Sequence, residues 1–126
     1  MIELPIAHRL HADTSPAAAA FLRLMADPTR RRIFLRLMEG ETCNCELVDF
    51  LGLPQNLISH HLRQLRRSGL IRARRDEHDQ RWIYYAVDRE VLARVHQEIM
   101  LAFDPLRLGE RTPACDSASG ATGASG

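Results

Sequence analysis

No stretch of this 126-residue chain approaches the ~20 consecutive apolar residues that a membrane-crossing helix needs. Its first residues also lack the basic, apolar and small-residue succession of a secretory signal, so a soluble, cytoplasmic protein without a membrane partner is expected. Cysteine is scarce: three residues, an odd number, argue against a disulfide framework and leave metal ligation or redox chemistry as uses. There is no Cys-x-x-Cys, no Gly-rich phosphate loop and no nucleophile, base and orienter set in the order of residues, and an enzyme is not expected. No internal repeat is found. Acidic residues are missing between Phe50 and Arg75, an interval that carries Arg63, Arg66, Arg67, Arg72, Arg74 and Arg75. The formal net charge of +1 therefore conceals one strongly basic surface, and a polyanion is a candidate partner.

A composition of 45% hydrophobic and 26% charged residues suits one modest core and a single domain. The expected division is an N-terminal segment over 1–14 without assigned structure, a folded domain over 15–108, and a tail over 109–126. The tail is Gly-, Ser-, Ala- and Thr-rich, too polar to offset the entropy of ordering it, and is expected to be disordered. Ser15-Pro16 and Asp27-Pro28 each pair an N-cap with a proline at the first helical position. They predict helices over Ala17 to Met25 and from Pro28 to about Gly40, the second carrying Ile33, Phe34, Leu37 and Met38 as a stripe. A short third helix fits Glu46 to Leu51. A fourth, with Leu57, Ile58, Leu62 and Leu65 at helical spacing, follows a turn containing Gly52 and Pro54 and stops at Gly69. Leu70 to Arg75 and Arg81 to Val87 favour strands, and the polar run between them makes a hairpin. Asp88 then caps a last helix reaching about Phe103, with Val91, Leu92, Val95, Ile99 and Phe103 on one face.

A short helix, a tight turn and a second helix with a polar, cationic outer face form the helix-turn-helix pattern, and the hairpin supplies a wing. The fold class expected is mainly α with a β-hairpin wing. On the second helix, Gln55, Asn56, Ser59, His60 and Arg63 suit base edges: Arg for guanine, Gln for adenine, Ser for either. Arg66 and Arg67 fall later and suit phosphates, which fix register without reading sequence. Arg74 and Arg81 on the hairpin extend the basic surface. A solvated row of charges is the competing reading of the helix face alone, and the hairpin arginines weigh against it. Trp82, Ile83, Tyr84 and Tyr85 are expected to pack rather than stack on bases. His61 is assigned to packing, and His8 and His11 to the surface.

The run from LMADPTRRRIFLRLMEGETCNC through ISHHLRQLRRSGLI to RWIYY resembles the ArsR/SmtB family of metal-responsive repressors, and within it most resembles the arsenite-sensing type. The resemblance covers about residues 20–103. It implies a winged helix-turn-helix homodimer joined through its first and last helices, here Leu22, Val91, Leu92, Val95, Ile99 and Phe103. It further implies that the apo-protein binds double-stranded operator DNA and that an inducer ion releases it.

Thr42-Cys43-Asn44-Cys45-Glu46 stands at the start of the third helix, where thiolates are favoured and soft ions are preferred to hard ones. Arsenite, antimonite, cadmium and lead are the candidate inducers, with no organic cofactor. In a regular helix residues two apart diverge, so one ion gripped by Cys43 and Cys45 would have to distort the helix start. Arsenic-sensing members carry ELCVCDLC where this chain has ETCNCELV. Cys43 and Cys45 match; Val48 replaces the third cysteine, leaving Cys115 in the tail as an alternative donor. The spacing of Asp88, Glu90, His96 and Glu98 does not reproduce the family's metal pattern on the last helix, and solvated charges are expected there. A redox-sensing repressor, in which the two thiols are oxidised rather than metallated, stays open beside the ion sensor.

Overall fold

The computed structural model describes residues 15–115. The segment 1–14, with His8 and His11, and residues 116–126 of the tail lie outside the described residues. Helix α1 (Pro16–Leu24) begins where Ser15 Oγ accepts the Ala18 N–H at 3.1 Å, and α2 (Pro28–Leu37) where the Asp27 carboxylate accepts the Arg30 N–H at 3.0 Å. Both starts follow from one rule: a short polar side chain pairs an orphan amide, and the proline after it gives up no helical hydrogen bond.

A two-residue strand, β1 (Thr42–Cys43), leads into α3 (Asn44–Leu51). Gly52 ends α3 at φ 66°, the left-handed conformation that a Cβ disfavours, and turns the chain towards Pro54. Helix α4 (Gln55–Arg67) follows, then the hairpin strands β2 (Ile71–Arg75) and β3 (Ile83–Val87), α5 (Arg89–Ala102) and a 3₁₀ turn at Pro105–Arg107.

The sheet is antiparallel in the order β1-β3-β2, with Thr42 opposite Tyr85, Cys43 opposite Tyr84, and Arg74 opposite Tyr84 from the other side. The expected two-stranded wing is thus three-stranded, because Thr42 and Cys43 adopt extended backbone and pair with β3. The return strand also starts two residues later than its composition suggests. Arg81 and Trp82 belong to the loop: the Trp82 N–H donates to the Asp79 carbonyl, and the Asp76 N–H to the Trp82 carbonyl, both at 3.0 Å. Trp82 is 39% exposed, a correction to its expected packing, whereas Tyr85 is in the core.

Ile33 and Leu37 of α2, Leu47 of α3, Ile58, Leu62 and Leu65 of α4, Leu70 just before β2, and Val95 of α5 are fully buried together. Phe21 meets Phe34 edge to face at 5.8 Å, tying α1 to α2. Since three α4 leucines and isoleucines sit in this cluster, the core itself fixes how α4 is presented. Truncating one of them to Ala would cost about 2–5 kcal/mol. No helix among the described residues is long and apolar enough to cross a membrane.

Candidate DNA interface and thiol pair

Helix α4 divides cleanly. Ile58, His61, Leu62 and Leu65, at positions i, i+3, i+4 and i+7, are buried. Gln55, Asn56, His60, Arg63, Arg66 and Arg67 are exposed, and Ser59 is half-buried at the edge of that face. Leu57, assigned to the apolar stripe by spacing, is instead 38% exposed beside Asn56 and corrects that assignment. Among the described residues, Arg63, Arg66 and Arg67 enter no ion pair with this chain. Their charges are free to meet an external anion.

The hairpin arginines are engaged differently. Arg74 donates from Nε and Nη2 to the two Glu41 carboxylate oxygens at 2.9 and 2.8 Å, and its guanidinium lies 4.5 Å from the centre of the Tyr84 ring. Arg81 grips Asp79 at 3.0 and 2.7 Å, and Arg72 donates to Asp88 at 2.8 Å. The arginine beside each carboxylate holds Glu41, Asp79 and Asp88 below the usual carboxylate range. Arg74 and Arg81, both expected to extend the basic surface, are therefore paired within the chain; the sequence interval without acids hid this because Glu41, Asp79 and Asp88 lie outside it.

Behind the outer face, Arg30 joins three elements. Its Nε donates to the Leu24 carbonyl at 3.0 Å, and Nη1 lies 3.4 Å from Nδ1 of His61. Burial pushes the His61 imidazole below its ordinary value, with Asp27 opposing and Arg30 and His60 reinforcing the shift. The side chain expected only to pack is also a polar node between α2 and α4.

At the thiol pair, Cys43 is the N-cap of α3 rather than its first turn. Its φ and ψ of −82° and 151° are extended, its sulfur accepts the Cys45 N–H at 3.2 Å, and its own N–H donates to Glu46 Oε1 at 2.8 Å, a capping box with sulfur in the usual hydroxyl's place. The expectation that two sulfurs two residues apart must diverge is corrected by this backbone: the Cα atoms are 5.4 Å apart and the structure joins the sulfurs as a disulfide. No distortion of α3 is needed to bring them together, since the residue that would have pointed away is outside the helix. Cys43 is buried and Cys45 half-buried. Asn44 Oδ1 sits 3.7 Å from the Cys43 sulfur and 3.4 Å from the Ile83 backbone nitrogen at the start of β3.

As a donor set, two adjacent sulfurs suit a thiophilic ion, and the N–H that points at one of them favours negative charge there. Val48, in the family's third-cysteine position, packs against the core, and Cys115 is exposed beyond the 3₁₀ turn. Among the described residues no three His, Cys, Asp or Glu side chains converge on one point. On α5, Asp88 is occupied as the N-cap and by Arg72, while Glu90 and His96 are exposed.

The residues expected at a homodimer interface separate into two sets. Leu22 and Phe103 are exposed, Phe103 at 65%, and Met100 and Leu101 beside it are exposed too, although the sequence reading missed them. Val95, 1% exposed, belongs to this chain's own core, with Val91, Leu92 and Ile99 packed against it. Val95 alone is corrected as an interface residue, because this part of the α5 stripe faces the core of the same chain; Val91, Leu92 and Ile99 keep part of their surface open.

A helix-turn-helix with a cationic outer face, backed by a small antiparallel wing, defines a winged helix-turn-helix DNA-binding protein. The profile described as "Bacterial regulatory protein, arsR family" matches residues 27–73, from the α2 cap to the middle of β2. An uncharacterised HTH-type transcriptional regulator of Methanocaldococcus jannaschii is 41% identical over 76 residues, 59% of this chain and 82% of that protein. The arsenic resistance transcriptional regulator ArsR1 of Pseudomonas putida is 44% identical over 70 residues, 55% of this chain; the match spans about half, 52%, of that longer relative. Among solved structures, HlyU from Vibrio cholerae superposes with a TM-score of 0.55 at 30% identity, covering 69% of this chain and 91% of HlyU. The chain belongs to the ArsR/SmtB family of winged helix-turn-helix transcriptional repressors, which are DNA-binding regulators and not enzymes.

Proposed function

We propose that this protein is a cytoplasmic, homodimeric repressor that leaves its operator when Cys43 and Cys45 capture a thiophilic ion, arsenite first among them. The observation that carries this reading is the adjacency of two sulfurs at the N-terminal end of α3, the helix that a tight turn joins to the one whose outer face would enter the major groove. Once a thiol reductant has opened the disulfide to two thiols, arsenite, As(OH)₃, exchanges two of its hydroxyls for the two sulfurs and releases two waters, leaving its third position for hydroxide or, with loss of a third water, for Cys115. Gln55, Asn56, Ser59, His60 and Arg63 read base edges, and Arg66 and Arg67 neutralise phosphates. The two subunits join through the exposed ends of α1 and α5, placing two recognition helices about one helical turn of DNA apart. The similarity to a regulator named for arsenic resistance is in keeping with arsenite as inducer.

The test is fluorescence anisotropy of an operator fragment, titrated with arsenite, cadmium and zinc against wild type and a Cys43→Ser/Cys45→Ser double variant. Release of wild type alone by arsenite supports the proposal; equal release of both proteins refutes the thiol site. A second reading rests on the same adjacency: hydrogen peroxide takes two hydrogens from the thiols, closes the disulfide and leaves two waters. Release by peroxide but not by arsenite would establish it instead.

A further inference from the structure

The thiol pair and the wing are one piece of structure. Cys43 occupies β1, β1 is hydrogen-bonded to β3, and β3 carries β2 with Arg74 on it. The residue before β1 is Glu41, whose carboxylate takes both Nε and Nη2 of Arg74. Asn44, between the cysteines, adds a second tie, its amide oxygen lying within reach of the Ile83 N–H. Gly40 and Thr42 brace the approach, the Thr42 hydroxyl donating to the Gly40 carbonyl at 2.9 Å.

We infer that Glu41 is a positioning residue which competes with DNA phosphate for Arg74, and that the state of the Cys43/Cys45 pair decides the competition. The inference rests on the thiol-sensor reading above and adds to it the route from thiols to DNA. When the sulfurs are joined, as in this structure or through a shared ion, Cys43 is fixed as the cap of α3. β1 is then held against β3, and Glu41 stays on Arg74. When the thiols are free of one another, the two-residue strand keeps its pairing to β3, the Glu46 cap and the Asn44 tie but loses the constraint between Cys43 and Cys45, and a phosphate competes better for Arg74. Closing the pair thus removes one cation per subunit from the DNA-facing wing. Arg81 is a built-in contrast: its partner Asp79 lies in the same loop and has no connection to the cysteines.

The experiment measures operator affinity as a function of salt for wild type, Glu41→Gln and Asp79→Asn, each reduced and each treated with whichever of arsenite or hydrogen peroxide releases wild type. Each phosphate neutralised contributes about 0.9 to the slope of log affinity against log salt. Wild type is expected to lose about that much per subunit on closing the pair. Glu41→Gln should keep its slope in both states and bind in the closed state about twofold to fivefold more tightly per subunit than wild type, the range of one exposed ion pair. Asp79→Asn should shift both states equally. If wild type is released while Glu41→Gln is released to the same extent and with the same slope change, the Glu41 route is wrong and the thiol sensor stands. If neither agent releases wild type, the sensor reading and this inference fall together.

Discussion

Arg30 Nη1 lies 3.4 Å from Nδ1 of His61, so the first turn of α2 touches the buried face of α4, the helix proposed to read DNA. Burial keeps His61 below its ordinary pKa of 6.5, and a neighbouring guanidinium needs a neutral ring as its partner. The folded state therefore binds this proton less readily than the unfolded chain. Stability from His61 is complete above about 6.5 and is lost as pH falls from there through the depressed folded value. Thermal melts from pH 7.5 down to 5 should show a falling Tm that is flatter in His61→Gln; identical slopes would dissociate His61 from the acid sensitivity.

Arg63 and Arg67 sit one helical turn apart on the open face of α4 and should behave differently. Arg63→Ala should cost about 1–3 kcal/mol on the operator and relax discrimination at one base pair. Arg67→Ala should weaken operator and scrambled DNA alike and reduce the salt slope by about 1 per subunit. Anisotropy with both duplexes checks this, and a uniform loss from Arg63→Ala would move that residue to the phosphates.

The two kinds of apolar residue on α5 predict two kinds of failure. Phe103→Asp, at a position 65% exposed, should leave the fold intact and shift the protein towards monomer in sedimentation velocity. Val95→Ala, in the core, should lower stability by about 1–3 kcal/mol with no change in subunit association beyond that. Dissociation by Val95→Ala without destabilisation would reverse the assignment.

Much of this architecture was legible because the local signals are strong and agree. Ser15-Pro16, Asp27-Pro28, Gly52 and Asp88 mark helix ends by chemistry that does not depend on tertiary contacts, and they fall within a residue or two of the observed ends. What escaped were features set by partners distant in sequence. Thr42 and Cys43 are too few to show a strand period; only β3, some forty residues on, makes them one. The same extended backbone brings the sulfurs together, which spacing within a regular helix would forbid. Glu41 on Arg74 was hidden for a like reason, 33 residues separating them. Periodicity found the face of α5 that carries Val95 but not whether this chain or a second one covers it.

The Cys43/Cys45 pair is proposed to control DNA occupancy. The most direct measurement of that control is the amount of operator fragment bound by reduced wild-type protein as arsenite is added, beside Cys43→Ser/Cys45→Ser at the same concentrations. Arsenite is expected to strip wild type from the DNA and to leave the double variant bound. A double variant released at the same arsenite concentration as wild type would contradict it.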